Sequence, residues 1–409
     1  MSATAMPSTS PTSPGVHASA APLRQRVDSV DVVRGIIMIL MALDHTRDFF
    51  GNASASPTNL ATTTVALFFT RWVTHFCAPT FFLLTGTSAY LAGRRRTVAG
   101  LSRFLVTRGL WLILLELTVI RFLWQFNLDY RLTLIDVIWA LGWAMIVLGL
   151  LVRLPVRAIA AVGLVLIATH NRFDGVRAGT FGALAPLWSL LHVPGFIIPG
   201  PAHVLFSAYP LIPWIGVTAV GYALGTLWDL PAERRRALLL RMGFACIALF
   251  LVLRSFNVYG DPGPWSVQPT GSMTLLSFIN VNKYPPSLLF LLMTLGPVLL
   301  ALRALDGQAP WVLRPAQVIG KVPFFYYLMH VLVLHVAAAG AMLVRLGSIR
   351  AALESPSADR FPMTQPPGWP VSLPVVYLIG IGVVLVLYPM CAWYADVKRR
   401  SDNLLLSYL

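Results

Sequence analysis

Apolar residues run along this chain in long blocks, not in short alternations, and each block spans a length that suits a hydrocarbon core of about 30 Å. Ten such blocks are legible, at residues 32–50, 65–92, 104–124, 132–152, 156–169, 207–227, 238–254, 286–302, 318–344 and 371–393. The fifth is the shortest. The pattern predicts an all-α, polytopic integral membrane protein of about ten transmembrane helices with both termini cytoplasmic. Polar residues frame it. Residues 1–25 are rich in Ser, Thr, Ala and Pro and lack a basic segment leading into an apolar core, so they read as a disordered cytoplasmic tail and not as a signal peptide. The first apolar block then acts as an uncleaved insertion signal. Residues 26–396 form one membrane domain, and 397–409 a basic cytoplasmic tail.

Composition agrees with this reading. The chain is 57% hydrophobic and 11% charged, with mean hydropathy +0.72, which excludes an ordinary soluble domain. A net charge of +15 invites a nucleic-acid partner. The distribution argues against one, because the dense basic groups fall in alternate loops. Arg94-Arg95-Arg96, Arg153 with Arg157, Arg234-Arg235-Arg236 and Lys398-Arg399-Arg400 all lie on the predicted cytoplasmic face with Arg34, as the positive-inside rule requires. Cys77, Cys246 and Cys391 sit inside apolar blocks, which implies neither a disulfide framework nor a metal-ligand spacing.

The longer connections, 52–64, 170–206, 255–285 and 347–370, all fall on the opposite face. Loops of this length are more often functional than mere connectors, which places a polar substrate on the outer side. The apolar piece 193–200, bounded by prolines and glycines, is too short to span and predicts a re-entrant or interfacial element. No internal repeat is visible, so the repeat signature of many transporters is missing.

Ionisable residues inside spans are expensive in lipid and point to function. Arg34 and His45 lie eleven residues apart on the first span. That spacing sets them about 16.5 Å apart along the helix axis and only about 20° apart around it. Asp44 and Asp48 flank His45, and a carboxylate beside an imidazole fixes its tautomer and raises its basicity, as a general base requires. The bland alternative is an ion-pair cluster at a helix end, with Asp44 bonded to Arg47. The second span carries Arg71 and His75, then Cys77 and Pro79, and the proline predicts a kink. Lys283 and Tyr284 precede two prolines at the start of the eighth span, placed either to orient an anion or sugar hydroxyl or to anchor the helix at the interface. In the ninth span Tyr326 and His330 share a face, whereas His335 is turned away by about 140°. At most one of these histidines is expected to join His45, the other bonding a carbonyl of a neighbouring helix. Glu116, in mid-span, needs a partner.

These segments resemble the transmembrane acyltransferases, and most of all the bacterial branch of the heparan-alpha-glucosaminide N-acetyltransferase catalytic-domain family. The likeness runs in order through the stretch from Arg26 to Gly35, Thr74-His75-Phe76-Cys77-Ala78-Pro79, the stretch from Tyr209 to Gly216, Lys283-Tyr284-Pro285-Pro286-Ser287 and the ninth-span tyrosine–histidine segment. The Arg34-x10-His45 spacing also looks like the arginine–histidine signature of the acyltransferase-3 families. The resemblance implies acetyl-CoA or another acyl-CoA as co-substrate, no metal, an extracytoplasmic sugar or glycolipid acceptor, contact with membrane lipids, and placement in a bacterial inner membrane. A homodimer is compatible with it.

In this reading His45 is the base, Asp44, Asp48 and His75 assist, and Arg34, Arg71, Lys283, Tyr284, Tyr326 and His330 bind the donor or the developing charge. The lysosomal relatives place a functional histidine in the outer loop after the first span. Residues 52–64 contain none, so proton transfer falls to His45 or His75 and heparan is not implied as the acceptor. A reading from another class is a proton-coupled transporter or flippase, in which the buried histidines and carboxylates form a proton relay.

Overall fold

The computed structural model describes residues 27–52, 55–200, 202–307 and 310–401. The expected disordered N-terminal tail and the last residues of the basic C-terminal tail lie outside these. In chain order the helices begin with α1 (Asp28–Phe50), α2 (Val65–Thr74), α3 (Cys77–Gly93) and α4 (Val98–Leu115). α4 continues through a π-helical turn, Glu116–Ile120, into α5 (Arg121–Gln125). Strand β1 (Leu132–Ile135) leads to α6 (Val137–Leu151), α7 (Val156–Thr169) and the short α8 (Ala185–Leu191). Strands β2 (Gly195–Ile198) and β3 (Val204–Ser207) precede α9 (Leu211–Leu224), α10 (Ala232–Phe256), α11 (Gly271–Ile279) and α12 (Leu288–Ala304). The chain ends with α13 (Arg314–Lys321), α14 (Pro323–Leu346), α15 (Arg350–Leu353) and α16 (Leu373–Arg400).

Among the described residues, seven helices are long and apolar enough to cross a membrane, two of them broken into shorter pieces or bulged. α6 and α12 are shorter apolar helices, and α1 is long but carries its charges inside. Together they account for the ten blocks. The second block breaks at His75–Phe76, immediately before the turn that holds Pro79, and the ninth breaks at Val322, just before Pro323. Both breaks follow from proline's missing N–H and its clash with the preceding turn. Lys398-Arg399-Arg400 close the last turn of α16, where cations complement the carbonyl end of the helix.

One expectation needs correction: residues 132–135 open the fourth block as a strand, not as helix. Residues 195–198, expected as a re-entrant or interfacial element, also form a strand. They share a three-stranded sheet in the order β1-β3-β2, with β3 parallel to β1 and antiparallel to β2. β-Branched and aromatic residues with short periods favour this outcome where the chain is too short for a spanning helix.

Lipid-facing side chains such as Phe244, Val252, Leu378 and Leu385 are exposed, as expected where lipid replaces water. Inside, helices meet through backbone. α1 packs on α13, α3 on α9, α4 on α6, α7 on α9 and α10 on α12, and each contact holds a glycine on both sides. A Cβ on Gly35 would lie 1.7 Å from the Ala316 carbonyl oxygen, and one on Gly320 would lie 1.8 Å from that of Asp31. At the α3–α9 contact a Cβ on Gly86 would meet the Thr218 carbonyl oxygen at 2.0 Å, and one on Gly221 that of Leu83 at 2.1 Å. The obstacles are backbone atoms, so no rotamer change relieves them.

Gly35→Ala is therefore expected to destabilise the detergent-purified protein by the roughly 1–3 kcal/mol typical of an overpacked contact, and so to lower its melting temperature. Gly340→Ala, on the open face of α14 with nothing within 4 Å, should leave it unchanged or raise it. Equal melting of the two variants would remove the close contact as a determinant of stability.

Candidate functional site

α1 supplies both ends of the candidate site. Acidic Asp28 and Asp31 fill its first turn and Arg47 its last, each matched to the helix dipole. Near its start, Arg34 donates from Nη1 to Asp31 Oδ1 at 3.1 Å and to the Gly320 carbonyl at 3.3 Å, and from Nη2 to Ser88 Oγ at 2.8 Å. The arginine thus ties α1 to α3 and α13 at the Gly35–Gly320 contact.

Three turns further on, His45 is half-buried and meets His330 of α14, with Nδ1 2.6 Å from His330 Nε2. The rings are stacked at 4.9 Å and 19°. His330 is fully buried, and its Nδ1 lies 3.1 Å from the Tyr326 carbonyl oxygen. A carbonyl only accepts, so His330 carries its hydrogen on Nδ1 and presents a lone pair at Nε2. In a neutral pair His45 then donates from Nδ1, which leaves His45 Nε2 without hydrogen and free to take a proton. Trp124 of α5 stands edge-on to His45 at 4.8 Å, and its Nε1 donates to the Tyr327 hydroxyl at 3.3 Å.

The expectation that Asp44 or Asp48 orients His45 is corrected at Nδ1, because that nitrogen faces His330. The carboxylates face the other way. Asp44 is paired with Arg71 of α2 at 2.5 Å and with Arg47 at 3.0 Å, while Asp48 is paired with Arg47 at 2.7 Å. The ion-pair reading of Asp44 with Arg47 is what the structure displays. The cluster remains close enough for its charges to act on the histidines: Asp44, Arg47, Arg71 and Lys283 all interact electrostatically with both His45 and His75.

His75 is buried between α2 and α3, with its ring against Phe290 at 5.4 Å. Cys77 points its buried Sγ at the Ile37 carbonyl, 3.6 Å away, the environment of a packing residue. Lys283 is buried with Nζ 5.0 Å from the Tyr284 ring, and Tyr284 stands edge-on to Tyr209. Asp261 holds this segment by accepting from the Asn282 N–H at 2.7 Å and the Ser287 hydroxyl at 2.6 Å. Arg254, fully buried, donates to the carbonyls of Phe278, Gly263, Ser277 and Asn280 and fixes the same loop. Sequence reasoning passed over Arg254, whose only signal is a charge at the end of an apolar block.

Of the ninth-span histidines, His330 joins His45 and His335 does not. His335 faces the carbonyls of Leu123 and Ala352 at 3.0 and 2.7 Å, as expected of the one left over. Tyr326 stacks on His330 at 5.6 Å, and its hydroxyl is buried without a hydrogen-bond partner among the described residues. Glu116 finds its partner in the Asp136 backbone N–H at 3.1 Å, at the π-helical turn. A small cavity lined by Glu116, Asp136, Arg121, Gln125 and Phe361 reaches Trp124. Outside the helices, burial works against the Asp129 carboxylate, but the Ser355 hydroxyl, the Arg131 N–H and Arg121 outweigh it and hold its pKa below the ordinary value. This clasp pins the end of α5, and so Trp124.

The family model described as "Heparan-alpha-glucosaminide N-acetyltransferase, catalytic" matches residues 26–259, more than half of the chain. Arg34, Asp44, His45, Asp48, Arg71 and His75 fall inside the match, and Lys283, Tyr284, Tyr326 and His330 beyond it. No curated protein matches the chain.

The Asp44–Arg71 pair is open to a double-mutant cycle read by thermal or denaturant unfolding. Arg71→Met alone should cost about 3–5 kcal/mol, because it strips a buried carboxylate of a cation, and Asp44→Asn with Arg71→Met together should recover part of that loss. Additive losses would mean that the two charges do not depend on each other.

Proposed function

The chain belongs to the heparan-alpha-glucosaminide N-acetyltransferase catalytic family, and from that membership we propose an integral-membrane acyltransferase with His45 as its general base. In this reading it moves an acetyl or short acyl group from cytoplasmic acyl-CoA to an amine or hydroxyl of an extracytoplasmic glycan, in a bacterial inner membrane. The observation that carries it is the His45–His330 pair, whose hydrogen bonding leaves His45 Nε2 as a lone-pair nitrogen on a half-buried ring.

The chemistry follows from that nitrogen. As the acceptor hydroxyl or amine attacks the thioester carbonyl, His45 Nε2 removes its proton. The carbon–sulfur bond breaks, and the proton returns from the imidazolium to the departing CoA sulfur. His330 stabilises the imidazolium through the Nδ1–H it already accepts. The Asp44–Arg71–Arg47–Asp48 cluster pairs its own charges and orders the end of α1. The hydroxyl of Tyr326, the ammonium of Lys283 and the hydroxyl of Tyr284 are the donors available to the developing oxyanion. Arg34, 17% exposed in its side chain, offers guanidinium hydrogens to a phosphate or pantetheine carbonyl. An acyl-histidine relay through the same Nε2 is the covalent variant of this chemistry.

The defining experiment is thermal stabilisation of the detergent-purified protein by acetyl-CoA, set against free CoA and the Arg34→Ala variant. Saturable stabilisation that weakens in the variant is expected. No stabilisation by any acyl-CoA in a folded sample would turn the reading to a proton-coupled transporter.

With acyl transfer measured, His45→Ala should lose roughly a hundredfold or more in turnover. His330→Ala should lose activity as well, whereas His330→Gln, which keeps an acceptor for His45 Nδ1–H, should recover part of it. A His45→Ala variant that binds donor and turns over at the wild-type rate would exclude this nitrogen as the base.

A further inference from the structure

Where α7 ends, the chain turns through His170–Phe173 in a short 3-10 helix, and α8 later brings His192 back against it. One donor atom each from His170, Asp174 and His192 lies within 4.8 Å of the other two. His170 is 1% exposed, and neither of its ring nitrogens has a hydrogen-bond partner among the described residues. An imidazole seldom lies buried with both nitrogens unpaired, since each lone pair or N–H has given up water for nothing. His192 is also fully buried; its Nε2 donates to the His170 carbonyl at 2.8 Å, which leaves Nδ1, without a partner among the described residues, as the nitrogen with a lone pair to offer.

The carboxylate is already aimed. Asp174 Oδ2 accepts from Asn171 Nδ2 at 2.8 Å, and Asn171 Oδ1 in turn accepts from the Leu288 N–H of α12 at 2.9 Å. That leaves Asp174 Oδ1, which stands 3.9 Å from His192 Nε2, too far for a hydrogen bond. The His192 ring is held flat on Trp188 at 5.1 Å and 16°. Outer contacts of this kind are what orient metal-binding imidazoles and carboxylates.

We propose that His170, Asp174 and His192 bind a divalent transition-metal ion of the zinc type. Two imidazoles and one carboxylate are a donor set that suits zinc, and three protein ligands leave a further position open. A tetrahedral ion with bonds of about 2 Å separates its donors by about 3.3 Å, so side-chain rotations of the order of an ångström close the triad around it. The ion takes up a lone pair of His170 and fastens the turn after α7 to the end of α8. The chemistry does not depend on the transferase reading.

The test uses the full-length protein purified in detergent through a tag without histidines, stripped with EDTA and titrated with Zn2+ and Co2+. About one equivalent of zinc should be retained by elemental analysis, with a rise in melting temperature and visible ligand-field bands from cobalt. His170→Gln and His192→Gln should each weaken binding tenfold or more, and Asp174→Asn should weaken it as well. His330→Gln should leave the binding as in wild type, which separates this site from the other histidine pair. X-ray absorption of the wild-type zinc complex, which requires no variant to fold, should find two imidazoles around the ion. Absence of zinc and cobalt binding, sulfur ligation, or binding undiminished in folded His170→Gln and His192→Gln would each overturn the proposal.

Discussion

Close approach of helix backbones is the constraint on which the rest of this molecule depends. Between helices in lipid there is little hydrophobic gain, because the tails outside are as apolar as the side chains within, so association rests on packing. Here five helix contacts carry a glycine on each side, at Gly35 with Gly320, Gly86 with Gly221, Gly109 with Gly142, Gly163 with Gly216 and Gly243 with Gly296. Carbonyl oxygens fill the space where side chains would stand. At the α3–α9 contact the same closeness lets Thr87 donate across to the Gly221 carbonyl at 2.9 Å.

The polar groups of α1 are affordable in lipid only because this packing delivers their partners. Arg34 needs Ser88 from α3 and the Gly320 carbonyl from α13, Asp44 needs Arg71 from α2, and His45 needs His330 from α14. Each is a charge or ring that one helix could not satisfy alone. The result is a helix whose functional face is assembled by four neighbours, with its ions already paired and one imidazole left partly open.

Much of the framework was legible because its causes are local. Run length and hydropathy located the apolar helices, proline chemistry located the break near Pro79, and helical geometry separated His330 from His335. The break before Pro323 lies within a block that reads as continuous helix. The small sheet was hidden, since a four-residue apolar run such as 195–198 has no period to distinguish it from a short helix. The partner of His45 was misjudged for a related reason. Asp44 and Asp48 are near in sequence, whereas His330 lies 285 residues away and reaches His45 only through the break between α13 and α14. The His170, Asp174 and His192 group escaped notice in the same way, being split by an irregular stretch with no fixed repeat. Glycine pairs on separate helices leave no spacing to read at all.

The Gly35–Gly320 contact also governs how this chain can vary in length. Ten residues separate Gly35 from His45 on one unbroken helix, so inserting or deleting a single residue between them would swing the imidazole through about 100° while the glycine stayed locked in its groove. His45 would then face lipid, or a neighbour unable to bond it. Change of length is thus barred from the whole interval between Gly35 and His45, nearly three turns, whereas a connection beyond residue 50 can lengthen at little cost in chain entropy. Across related chains, the interval between the arginine–glycine step and the histidine should stay constant even where every loop has drifted.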